Sequence, residues 1–89
     1  MDASAQFDIV IELAEELGLV VRYEPIDGDS GGLCRIKGQH VLFVDTLADV
    51  ATRLQRSLEA LARVPGIDEH YIRPDVREWI DRARARESA

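Results

Sequence analysis

The stretch Gly31–Asp45, GGLCRIKGQHVLFVD, constrains this chain more than any other. Two runs of β-favouring residues, Leu33–Lys37 and Val41–Val44, flank Gly38-Gln39-His40. Glycine takes a positive φ without steric cost, so Gly38 at the first position of a two-residue type II′ turn predicts a β-hairpin. With Gly38-Gln39 as the loop, Lys37 is expected opposite His40, Ile36 opposite Val41, Arg35 opposite Leu42 and Cys34 opposite Phe43. Side chains alternate across a strand. One face then carries Cys34, Ile36, Val41 and Phe43, and the other Leu33, Arg35, Lys37, His40, Leu42 and Val44. The first face is wholly apolar and is expected to meet the helices. The second is mixed and is the candidate interface.

The rest of the chain supplies those helices and one further strand. Phe7, Val10, Ile11, Ala14 and Leu17 form one stripe at helical spacing, predicting a helix over about 4–17 with Ser4 as its cap and Gly18 as its stop. A strand over 19–24 ends at Pro25, and the Gly- and Asp-rich run to Gly32 reads as a turn. The hairpin strands fall at about 32–37 and 41–44. A second helix over about 46–64 starts at Asp45 or Thr46, with Thr46-x-x-Asp49 approximating a capping box. Leu47, Val50, Ala51, Leu54, Leu58, Leu61 and Ala62 form its stripe, and Asp49–Arg53 and Glu59–Arg63 have the spacing of helical ion pairs. After Pro65-Gly66 comes a connector with Tyr71 and Ile72 as anchors. Pro74 opens a third helix over about 74–86, with Val76, Trp79, Ile80 and Ala83 inside and Arg82, Arg84 and Arg86 near its C-terminal end. The expected architecture is a single α+β domain over residues 1–89, in the order α-β-β-β-α-α. It has a three-stranded sheet and helices mainly on one of its faces.

Composition narrows the function classes. A hydrophobic fraction of 46% in 89 residues supports a folded core that buries about 60–65% of the chain's unfolded surface. The apolar runs are far shorter than the ~20 residues of a membrane span. The acidic start MDASAQFD has no apolar core, so no secretory signal is expected. A single cysteine excludes an internal disulfide framework and fits a reducing compartment, with the cytoplasm as the expected location. The net charge of −6 argues against nucleic acid, which needs a basic footprint. Residues 1–32 hold eight acids and one base, whereas residues 33–89 hold nine acids and ten bases. The acidity therefore sits in the first third, where it can steer a basic partner or another copy of the chain.

Each candidate chemistry meets an obstacle. Cys34 is the obvious nucleophile and His40 its base, but a two-residue turn sets them on opposite faces, and nucleophile and base must be within hydrogen-bonding reach. Cys34 therefore reads as a small buried hydrophobe. His40 and His70 lie thirty residues apart and the cysteine has no CxxC partner, so no zinc site is expected. The run Asp27-Gly28-Asp29-Ser30-Gly31 is spaced like the start of a calcium loop but is not followed by the bidentate Glu that such a loop needs. The same run lacks the glycine spacing of a phosphate loop. Glu15 and Glu16 read as a solvated helix face. The arginines from Arg73 to Arg86 interleave with Asp75, Glu78, Asp81 and Glu87 and read as local ion pairs.

The succession ELAEELGLVVRYEPI, GGLCRIKGQHVLFVD and TLADVATRLQRSLEALA resembles the helix–strand–hairpin–helix front part of ImmA/IrrE-type metallopeptidases, over roughly residues 9–62. In that family the helix after the hairpin carries HExxH, two histidines binding zinc and the glutamate activating water. Laid on this chain, the motif falls on Leu58-Glu59-Ala60-Leu61-Ala62, where only Glu59 matches. The resemblance thus implies a relative of the fold that has exchanged metal ligands for core packing. The expected function is a non-catalytic interaction or regulatory module without a cofactor, binding a protein partner or itself but neither nucleic acid nor membrane. Self-association is expected through Leu33, Leu42 and Val44, rimmed by Arg35, Lys37 and His40. The alternative is a small enzyme or redox protein using Cys34 or Glu59.

Overall fold

Local chemistry sets each element of the computed structural model, which describes residues 1–26 and 31–88. The first helix, α1, runs Ala3–Glu16. Asp2, not Ser4, caps it, its Oδ1 accepting from the Ala5 amide at 2.8 Å. Three strands follow: β1 at Val20–Glu24, β2 at Gly32–Ile36 and β3 at Gln39–Asp45. Helix α2 runs Val50–Ala62, a 3-10 turn spans Ile67–Glu69, and helix α3 runs Pro74–Ser88. The order is α-β-β-β-α-α, an α+β architecture. The run of alternating Asp and Gly from Asp27 to Ser30, with its calcium-like spacing, lies outside the described residues.

The start of α2 departs from expectation for a physical reason. Asp45 is buried at the end of β3, and its Oδ1 accepts from the amides of Ile26 at 3.1 Å and Leu47 at 2.9 Å. Arg53 reaches back from α2, its Nε donating to the carbonyls of Asp45 and Ala48 and its terminal nitrogen to that of Thr46. These bonds hold residues 46–48 as a loop and leave Leu47 exposed. The cap passes to Asp49, which accepts from the Thr52 amide at 2.8 Å. The expected Glu59–Arg63 pair is also replaced: Glu59 takes Arg56 and Gln55, and Arg63 takes Glu87.

The sheet order is β1-β3-β2, with β1 parallel and β2 antiparallel to the central β3. The hairpin turn is Lys37-Gly38, one residue earlier than expected. Both residues have positive φ, 51° and 80°, the signature of a type I′ turn. Ile36 therefore faces Gln39, Arg35 faces His40, Cys34 faces Val41 and Leu33 faces Leu42. Moving the turn by one residue moves each partner by two, so every side chain keeps its face. At the other end of β2, Gly31 has φ of 89°, and a Cβ there would collide with the Phe43 carbonyl oxygen. Only glycine allows the chain to enter beside β3 at this point.

Which face meets the helices is the main correction. Helix α1 lies against β1, α2 against β2 and β3, and α3 against α2. The core joins Leu42 and Val44 to Val10, Leu61, Val76 and Ile80, with Leu33 and Val21 packed against it. Leu42 is fully buried and Val44 is 2% exposed, so neither lies on a free surface. The cause lies in β1. Its parallel register sets Arg22 beside Phe43 and Glu24 beside Asp45, and puts Val21 beside Leu42. Two charges on the Phe43 side cannot be sealed under helices without a large desolvation cost, so the aliphatic side turns inward. Tyr71, expected as an anchor, is 86% exposed; Ile72 is buried as expected, and Ile67 is the connector's other buried anchor.

Candidate functional site: the open face of the sheet

The sheet side away from the helices is built from three strands that alternate as their register dictates. Val20, Arg22 and Glu24 come from β1, Gln39, Val41 and Phe43 from β3, and Cys34 and Ile36 from β2. Val20 is 44% and Ile36 41% exposed, and Cys34 is exposed as well. Val41 is buried yet lies outside the main core cluster, as a central-strand residue walled in by its neighbours does. Phe43 is half-buried beneath the Arg22 guanidinium, whose carbon sits 5.7 Å from the ring centroid, within cation–π range. Arg22 in turn pairs with Glu24 at 2.5 Å. The face is an apolar strip along β3 and β2, flanked on β1 by one cation and one anion.

The residues singled out from sequence distribute over both sides of the sheet. Leu42 and Val44 are core, and Leu33 is half-buried against it. Arg35 and Lys37 are exposed at the hairpin end, and His40 is half-buried on the helix-facing side. Cys34 is corrected from buried to exposed, because its face is the uncovered one. It shares that face with Val41, not with His40, which lies opposite Arg35. Glu59 sits in the helix layer, its two carboxylate oxygens accepting from Gln55 and Arg56. The structure therefore assembles neither a Cys34–His40 pair nor a Cys34–Glu59 pair. Among the described residues, no three His, Cys, Asp or Glu side chains converge as metal ligands would, and no helix is long and apolar enough to cross a membrane.

The groups whose protonation is displaced lie away from this face. Hydrogen bonds from the Thr52 backbone and hydroxyl hold the Asp49 carboxyl below its usual range. The Arg73 guanidinium does the same to Asp75, and is itself raised by that bond. These are helix-start contacts rather than chemistry at a site. Val20 and Arg22 are the residues of the open face that the hairpin alone does not reveal. The signal for them was the alternation of β1, Val21 inward and Arg22 and Glu24 outward. Comparison of the chain with protein-family models, curated proteins and solved structures gives no match.

Proposed function

We propose that this protein is a non-catalytic interaction module that pairs reversibly with a second copy of itself through the open sheet face. The observation that carries the reading is a three-stranded sheet with helices on one side and Val20, Ile36, Cys34 and Phe43 accessible on the other. An apolar patch with a charged rim is the ordinary mark of an interface. The charges favour a like partner. Arg22 and Glu24 sit side by side with opposite sign, so in a two-fold pairing each can exchange its internal partner for the other copy's.

Size limits the affinity. Three strands about 4.8 Å apart, each about five residues of 3.3 Å, give a footprint of roughly 250 Å². A stable complex buries about 800 Å² per partner. The pairing is therefore a weak, reversible one, with Kd at about the micromolar level or above. Sedimentation velocity over a concentration series tests it. Wild type shifts towards dimer as concentration rises, and Ile36→Asp stays monomeric with an unchanged circular dichroism spectrum. A wild-type chain that remains monomeric up to about 1 mM contradicts the reading.

A further inference from the structure

A second surface lies on the opposite side of the molecule, between α1 and the connector that leads into α3. Ile9 and Leu13 form one wall of a groove of about 260 Å³, and Ile72 and Val76 form the other. Glu12 and Glu16 stand on its α1 rim, and Tyr71 and Arg73 on its connector rim, the Arg73 guanidinium being held by Asp75. The volume is below the ~300–1,000 Å³ of small-molecule sites and suits one or two side chains.

Three features of the free chain are unfavourable here and all are relieved by the same kind of ligand. Glu12 and Glu16 are like charges at i,i+4, a spacing that destabilises a helix. Glu16 is the last residue of α1, where the macrodipole is negative and favours a cation. Among the described residues, neither Glu12 nor Glu16 is in an ion pair with any of the basic side chains; the Arg73 charge that Glu12 senses is already forked onto Asp75 at 3.1 and 2.7 Å. Tyr71 holds out a large ring that packs on nothing in the core, although its neighbour Ile72 is buried. Places where a chain breaks local rules without local compensation are where function is expected.

We infer that this groove docks a basic segment of a partner protein, an apolar side chain entering between Leu13 and Ile72 while an adjacent lysine or arginine meets Glu12, Glu16 and the Tyr71 face. Carboxylates supply the charge-assisted contacts, and the phenol ring supplies a cation–π surface. The acidity of the N-terminal third, which carries one base among its nine charges, steers such a segment to this side. The inference is independent of the sheet-face pairing, which uses other strands and other side chains.

Fluorescence anisotropy with a labelled Lys-Leu-Leu-Lys-repeat peptide tests it. Glu16→Gln and Tyr71→Ala are each expected to weaken binding by about fivefold to tenfold. Glu15→Gln removes the same charge one position away, outside the groove lining, and is expected to change binding less than twofold. Equal losses for Glu15→Gln and Glu16→Gln overturn the inference in favour of unspecific attraction. So do binding of butylamine as tightly as the peptide, which would make the groove a small-amine site, and no peptide binding at about 100 μM in low salt.

Discussion

Leu42 and Ile36 carry the residue-scale distinction on which the rest depends. Both are aliphatic and both lie in the hairpin, yet they belong to opposite faces of the sheet. Leu42 is fully buried against three helices' worth of core, whereas Ile36 is 41% exposed at the end of an edge strand. Leu42→Ala is therefore expected to cost about 2–5 kcal/mol, the range for emptying a packed site. Ile36→Ala is expected to cost less than about 1 kcal/mol. Urea unfolding of the two variants measures this directly. Equal losses, or a larger loss at Ile36, would mean that the sheet faces the helices with its other side. The partition of side chains between two faces was legible from Gly38 and the alternation around it. The choice of inner face was not, because within the hairpin the wholly apolar set looked like the better core. The deciding charges, Arg22 and Glu24, belong to a strand whose parallel register with β3 no local pattern encodes.

Caps and braces matter at the scale of the element. Helix boundaries followed polar residues that compete for the same amides, and the competition explains the displaced start of α2. Asp45, Thr46 and Asp49 all have cap chemistry, but Asp45 is committed to the Ile26 and Leu47 amides, so the helix begins at the next free carboxylate. No sequence spacing announces that Ile26, nineteen residues away, claims Asp45. Asp49 and Asp75 both serve helix starts, and both have carboxyls held below their usual range by the bonds they accept. A depressed carboxyl stabilises the fold above the unfolded pKa, and that contribution is lost as pH falls through the folded value. Stability attributable to the Asp49 cap and the Asp75–Arg73 pair is thus intact at neutral pH and declines on acidification below about pH 4. Asp49→Ala is expected to lower Tm by roughly 5 °C at pH 7 and to have a smaller effect near pH 2. Thermal melts of wild type and variant at the two pH values check the sign. A larger penalty in acid would contradict the capping role.

At the scale of the whole molecule, the accessible surface is 5417 Å², close to the roughly 5200 Å² expected of a compact monomer of this mass. The fold is thus as compact as a free-standing monomer of this size. Its net charge of −6 opposes bringing two copies together. Raising salt from about 0.02 M to about 0.5 M shortens the Debye length from about 20 Å to about 4 Å, removing that repulsion while apolar contact persists. Self-association through the sheet is therefore expected to strengthen with salt, as sedimentation at the two ionic strengths would show. Peptide docking in the acidic groove is expected to weaken under the same change. Both interactions moving in the same direction would mean that one of the two surfaces is misassigned.

Native-state labelling of Cys34 with a maleimide, followed as a function of protein concentration, tests the central claim most directly. The thiol is the one reporter that the open face carries, and its reactivity follows its exposure. At about 1 μM it is predicted to label within about tenfold of the unfolded chain's rate. At concentrations where the dimer forms, labelling is predicted to slow, and Ile36→Asp is predicted to restore the fast rate. Slow labelling at every concentration would mean that the face is covered. Fast labelling that ignores concentration would mean that it is open but not the surface through which the chain pairs.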